Sequence, residues 1–332
     1  MQHDYKNLTA TYDVLGIGSA IVDILALVED EFLIREALDK GGMCLIDAKR
    51  ANELYESLGQ CTECSGGSVA NSLAAIASLG GKSAFIGRVH EDALGKIFTH
   101  DMRSVGVDYT TAPAKHGKPT ARCMVCVTPD AQRTMATYIG ASCELNTTDI
   151  DAQKIADSSI IYVEAYLWDL PEAKDAIRQA FAEAKKAGRK IAFTLSDSWC
   201  VDRHRADFLD FIAECVDVLF ANEHEICALF ETDDLELALE KITPLVDVTA
   251  VTLGERGSIV LQDQQRNDIP AQNISKLIDS TGAGDLFAAG FLYGITQGWS
   301  LYESAALGNS CAAEIIQQLG ARPQRPLNKL VA

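Results

Sequence analysis

From residue 13 to residue 253, short apolar runs alternate with segments whose apolar residues recur every three or four positions. The runs at 13–18, 83–87, 160–163, 190–195, 216–220 and 249–253 are too short for helices and read as buried strands. Between them, 69–79, 173–186, 208–215 and 223–230 have the period of amphipathic helices. Strands that are apolar on both faces need cover on both sides, and alternation with helices supplies it. The expected fold class is therefore α/β, with a mainly parallel central sheet and helices on both faces. In such sheets ligands collect at the carboxyl ends of the strands.

Two stretches break the rhythm. Residues 23–28 with 43–46, and residues 107–139, are rich in strand-like runs without helices. Within the second, 122–128 and 133–138 flank Pro129-Asp130-Ala131-Gln132 and read as a hairpin. The expected organisation is one domain over 1–332, with a small β lid built from the discontinuous segments 23–47 and 107–139. A closing lid would exclude water from a site beneath it. The tail, 320–332, contains Pro323 and Pro326 and reads as an irregular terminus.

Charge and cysteine usage narrow the partners. With 47 acidic and 29 basic side chains the formal charge is −18, which argues against nucleic acid or an anionic membrane surface. Any phosphate ligand must be held by local N–H groups, a few cations and a metal. The ten cysteines are scattered, residues 1–11 are polar, and no apolar run approaches a membrane span, so a reducing cytoplasm is the expected compartment. Cys61-Thr62-Glu63-Cys64 has redox-like spacing but no second pair, and reads as two ordinary thiols.

The chemistry concentrates in Asp279-Ser280-Thr281-Gly282-Ala283-Gly284-Asp285, which runs into a helix-forming stretch at 286–295. Glycines around an alanine leave the backbone bare, and the following helix offers unpaired N–H groups, so the turn is a phosphate cradle. Asp285 at its mouth suits a base that takes the proton of a hydroxyl as a phosphoryl group arrives. The alternative is an acid favoured by the helix dipole, which would lower its pKa.

Four further pieces accompany it. Gly66-Gly67-Ser68-Val69-Ala70-Asn71 opens a helix; Asn71 could bind hydroxyls or be a satisfied buried amide. Gly16-Ile17-Gly18-Ser19-Ala20-Ile21-Val22-Asp23 delivers Asp23 after a strand, as a hydroxyl acceptor or a loop acid. Asn222 and Glu225 follow the run 216–220, where Glu225 could hold Mg²⁺ through water or simply complete a helix cap. Thr252-Leu253-Gly254-Glu255-Arg256-Gly257 ends another strand with two glycines suited to a nucleotide. Rival motifs fail: Ile21 replaces the third glycine of a dinucleotide fingerprint, and Ile76 the first glycine of a P-loop ending at Lys82-Ser83.

In this order the pieces resemble the PfkB, or ribokinase-like, family of carbohydrate and nucleoside kinases. Residues 66–80 match its first signature, 85–95 a following Phe-x-Gly element, 222–225 its Asn-x-x-Glu motif and 279–285 its second signature. His90 stands where the family often has glycine, and Asp279-Ser280 where Asp-Thr is commoner. The resemblance implies a three-layer α/β/α domain with a β lid, and transfer from ATP with Mg²⁺ to a hydroxymethyl group. Gly282, Ala283 and Gly284 would form the anion hole and Asp285 the base. Asp23, Ser19, Gly66, Gly67 and Asn71 would hold the acceptor. Asn222, Glu225, Thr252, Gly254, Gly257, Thr281 and Asn309 would lie on the nucleotide side. Ser68-Val69 after the Gly-Gly, and the segments 40–47 and 195–205, look like bacterial adenosine-kinase-like sugar kinases, whereas Ser19 departs from the Asn common in nucleoside kinases. The expected acceptor is adenosine or a related ribosyl compound, with ribose, fructose or a non-catalytic binder as alternatives. A monovalent cation, and a homodimer paired through lid edges rather than a monomer, remain open.

Overall fold

The computed structural model describes residues 10–130 and 132–331. The polar stretch 1–9 and Ala131 of the expected hairpin turn lie outside the described residues.

Nine strands form the main sheet. Edge to edge they are Gln265–Ile269, Ser258–Gln262, Val248–Thr252, Val218–Asn222, Lys190–Thr194, Ser158–Glu164, Tyr12–Ile17, Ser83–Ile86 and Asp108–Tyr109. All pairings from Val248–Thr252 to Asp108–Tyr109 are parallel. The last two strands at the other edge join as an antiparallel ribbon. Consecutive side chains point to opposite faces, and the chain uses this to feed two separate cores. Ile160, Tyr162, Ala192 and Phe220 pack with Leu73, Ile76, Leu286 and Phe291 on one side. Ile161, Val163, Phe193 and Leu219 pack with Ala176, Phe208, Ile226 and Leu239 on the other. The result is the three-layer α/β/α arrangement.

A second sheet of five strands runs Met43–Leu45, Arg133–Tyr138, Ala121–Val127, Ile21–Leu27 and Cys61–Gly66. Its Val22, Ile24, Met124, Cys126 and Ala136 are buried with Phe32, Leu33, Ala51 and Leu54. The opposite face carries Asp23, flanked across the register by Cys64 and Cys123. Ile21 and Leu25 share that face by strand alternation and pack with Cys123, Val125, Val127 and Met135.

The boundaries differ from those expected. Asp108–Tyr109 pairs with Ser83–Ile86 in the main sheet, whereas Cys61–Gly66 pairs with Ile21–Leu27 in the small one. The sequence Cys-Thr-Glu-Cys-Ser-Gly has one β-branched residue and little apolar alternation, so its strand character comes from pairing. The helix expected at 208–215 starts earlier, at Ser198, and the Asp197 carboxylate caps Ser198–Cys215 by accepting from the Cys200 amide. All ten cysteines are unpaired thiols, and burial pushes Cys64 up to about 12. Among the described residues no helix is long and apolar enough to cross a membrane.

Candidate active site

The turn before helix Ala283–Gln297 is built around a buried carboxylate. Asp279 Oδ1 accepts from the Thr281 amide at 2.9 Å and Oδ2 from the Gly320 amide at 2.8 Å. Its ion partner is Arg133 of the small sheet, whose Nη1 lies 2.9 Å from Oδ1. Gly282 takes φ +77°, and a Cβ there would lie 2.7 Å from that of Ala321. Gly284 is different, because no atom stands within 4 Å of where its Cβ would be. The Ala283 amide already donates to Ser280 O at 3.2 Å, so Gly284 offers the bare first-turn N–H beside open space.

Asp285, one residue on, is gripped from helix Ser68–Leu79. Ser68 Oγ donates to its Oδ1 at 2.6 Å, Asn71 Nδ2 to its Oδ2 at 2.8 Å, and Ser72 Oγ to its carbonyl at 2.8 Å. Two glycine-rich helix starts, far apart in sequence, thus meet on one carboxylate. The expectation that the helix terminus lowers the Asp285 pKa is overturned. Burial raises it, against the opposing pull of Ser68, Asn71 and Arg322. The residue keeps an edge toward solvent while its carboxylate is crowded by these partners.

On the small-sheet side, Asp23 lies against Gly66, where any Cβ would collide with the carboxylate. Burial pushes Asp23 up to about 6, while Arg133 and Arg322 pull it back. Gly67, at φ +95°, lets the chain pass the Ser19 carbonyl. Ser19 and the helix start are tied together by Glu164, a fully buried acid at the end of strand Ser158–Glu164. Its Oε1 accepts from the Ser19 amide at 2.8 Å and its Oε2 from the Val69 amide at 3.0 Å. Two buried atoms nearby have no partner among the described residues: Asn71 Oδ1 and Arg133 Nε. An orphaned acceptor beside Asp285 and an orphaned donor on Arg133 are what a bound polar ligand would satisfy.

A cleft of about 410 Å³ opens at the carboxyl ends of the strands. Ser68, Ala283, Gly284 and Asp285 line one side, and Asn222, Glu225, Thr252 and Gly254 the other. Asn222 and Glu225 form a reciprocal cap: the Glu225 amide donates to Asn222 Oδ1 at 2.8 Å, and Glu225 accepts from the Asn222 amide at 2.9 Å and Nδ2 at 2.6 Å. Burial pushes Glu225 up to about 7. Among the described residues no group of three or more acidic, His or Cys side chains could cage a metal. Glu223, Glu225 and Asp285 line the cleft without converging on one point, which suits only a hydrated Mg²⁺ held mainly by nucleotide phosphates, with Glu225 the carboxylate that would hold it through water.

Gly257 and Asn309 do not line this cleft. Gly257, at φ +92°, passes against the Ile269 carbonyl, and Asn309 Nδ2 donates to the carbonyls of Ile269 at 3.2 Å and Pro270 at 3.1 Å. Both residues brace the edge ribbon. Thr281 contributes its amide to Asp279 behind the cradle. The sequence reading missed Arg133, Glu164 and Arg322. Arg322, in the tail read as an irregular terminus, donates to Ser65 O at 2.9 Å and Ala70 O at 2.6 Å, on either side of the Gly66-Gly67 turn.

A mainly parallel sheet with a cleft at its carboxyl edge, lined by the bare start of helix Ala283–Gln297 and its held Asp285, fits a kinase acting on an alcohol group of a sugar or nucleoside. The chain belongs to the pfkB family of carbohydrate kinases, whose model matches residues 38–328. It is 48% identical to adenosine kinase from Sinorhizobium meliloti, over 97% of this chain and 99% of that one, with a TM-score of 0.92. A crystal structure of a probable sugar kinase protein from Rhizobium etli CFN 42 superposes with the same TM-score at 47% identity, covering 97% and 98%. Fructokinase from Klebsiella pneumoniae is 26% identical over 82% of this chain and 92% of that protein. Membership of this family implies ATP as phosphoryl donor and a sugar or nucleoside as acceptor.

Proposed function

We propose that the acceptor is adenosine or a close ribonucleoside relative, phosphorylated on its hydroxymethyl group. The observation that carries this reading is the setting of Asp23. Its carboxylate shares a sheet face with Ile21, Leu25, Cys123, Val125 and Met135, alongside the more polar Cys64, Arg133 and Thr137. A carboxylate for vicinal hydroxyls, set in an apolar field, suits a ligand with a polar sugar and a flat, weakly polar base. The similarity to the Sinorhizobium meliloti adenosine kinase supports the same choice.

In this reading Asp23, Ser19, Gly66, Gly67 and Asn71 hold the ribose, and the small sheet acts as a lid. ATP occupies the cleft at Asn222, Glu225, Thr252 and Gly254, with Gly257, Thr281 and Asn309 bracing its walls. Glu225 would hold Mg²⁺ through water, and the ion would supply positive charge against the phosphates. Gly282, Ala283 and Gly284 present the cradle to the migrating phosphoryl group, where positioned N–H groups stabilise the transition state. Asp285 takes the hydroxymethyl proton. Its raised pKa makes it a better base than a dipole-stabilised carboxylate would be.

The test is ADP formation with ATP and Mg²⁺ against adenosine, inosine, ribose and fructose. The highest kcat/KM is expected for adenosine. Preference for fructose or ribose would overturn the acceptor assignment, and ligand binding without ADP release would indicate a non-catalytic binder.

A further inference from the structure

We propose that Arg322 is a positioning residue: it holds the Gly66-Gly67 turn and supplies the standing positive charge behind the carboxylates of Asp23 and Asp285. This rests on the reading of those two carboxylates as the acceptor ligand and the base.

The geometry is specific. The guanidinium donates through Nε to the Ser65 carbonyl at 2.9 Å, through Nη1 to the Ala70 carbonyl at 2.6 Å, and through Nη2 to Met102 Sδ at 3.3 Å. One planar fork thereby joins the last turn of the small-sheet strand Cys61–Gly66 to the first turn of helix Ser68–Leu79. The other side of the Ser65 peptide is fixed too, because its amide donates to Asp101 Oδ2 at 2.9 Å. The acceptor turn is thus clamped at both ends. Gly66 touches Asp23, and Ser68 and Asn71 grip Asp285, so a shift of this clamp moves both carboxylates.

All three contacts of the guanidinium are with neutral atoms. A cation so enclosed, with each of its three nitrogens donating to a carbonyl or a thioether and none to an anion, is costly unless its charge acts at longer range. The charged and titratable groups around it are Cys64, Asp23, Asp101 and Asp285. Asp23 also faces Arg133 and lies between Cys64 and Cys123, while Asp285 is close to Tyr162, Glu164 and Glu225. Of the two nearby arginines, Arg133 is committed to Asp279. Arg322 lowers both Asp23 and Asp285 against the burial that raises them.

The experiment is the pH profile of kcat/KM for the acceptor in wild type, Arg322→Met and Arg322→Lys, with Asp285→Asn in the same series. Loss of the charge in Arg322→Met should move the acid limb upward by about 1 pH unit, the low end of what a nearby opposite charge does. Arg322→Lys should return the limb to its wild-type place while the acceptor KM stays raised, because one ammonium cannot span both carbonyls. Equal losses of kcat in the two variants with an unmoved limb would overturn the proposal. Should Arg322→Met not fold, Arg322→Gln removes the charge and keeps donors. Turnover retained by Asp285→Asn would instead overturn the underlying reading of the site.

Discussion

Asn71 faces Asp285 with only half of its amide: Nδ2 donates to Oδ2 at 2.8 Å, while its buried Oδ1 has no partner among the described residues. The donor end orients the proposed base, and the acceptor end would be free for the hydroxyl of the proposed acceptor. Asp285→Asn keeps the shape and removes the charge that would receive a proton. Steady-state kinetics should show kcat falling on the order of 10²–10⁴, with acceptor KM within a few fold. An equal collapse of binding in a folded variant would show that Asp285 serves affinity rather than proton transfer.

The raised acids give stability a definite pH slope. Asp23 is pushed to about 6 from 3.8, and Glu225 to about 7 from 4.5, chiefly by burial. Each binds its proton more tightly folded than unfolded, so stability is lost as pH rises from the unfolded to the folded value. The ligand-free protein should therefore melt at a lower temperature at pH 8 than at pH 5 through these two groups. Asp23→Asn should raise Tm at pH 8 and change it much less near pH 4, where folded Asp23 is neutral and the unfolded carboxyl is close to its midpoint of 3.8. A Tm gain independent of pH would refute the electrostatic cause. The same titration makes acceptor KM rise as pH falls below about 6.

Arg133 and Asp279 connect the small sheet to the cradle, with side chains only 10% and 1% exposed. Arg133→Ala leaves a buried carboxylate with two amide donors but no counter-charge. Breaking such a pair from one side costs roughly 3–5 kcal/mol, measurable by urea unfolding. Arg133→Lys should recover part of the stability. A loss below the range of ordinary surface substitutions would mean that the Asp279 amides already satisfy it.

The layered sheet was legible because its strands are apolar on both faces, and periodicity reports that directly. The strand Cys61–Gly66 was not, since its structure depends on a partner strand rather than on its own residues. The cradle and Gly-Gly turn announce themselves locally, as glycines at helix starts. Glu164, Arg133 and Arg322 do not, because their meaning lies in what they reach: Ser19 and Val69, Asp279, and Ser65 with Ala70. The one available signal for Glu164 was an acid closing an otherwise apolar strand, Ile160-Ile161-Tyr162-Val163. The direction of the Asp285 shift was misread for a related reason. A helix dipole can be inferred from sequence, but the burial of Asp285 that outweighs it, even against the hydrogen bonds of Ser68 and Asn71, cannot.

Gly282 and Gly284 differ only in surroundings, and that difference separates fold from function. Gly282 has φ +77° and no room beside Ala321, so Gly282→Ala should destabilise the protein. Gly284 is in helix Ala283–Gln297, has no positive φ, and meets nothing within 4 Å at its Cβ position. Gly284→Ala should therefore stabilise the ligand-free protein by about 0.4–1 kcal/mol, through the lost freedom of the unfolded chain. The new methyl would nevertheless stand in the open space where the phosphoryl group is proposed to rest. Turnover should fall while Tm rises, a pairing that no loss of structure can produce. Full activity in a stabilised Gly284→Ala variant would place the migrating phosphate elsewhere.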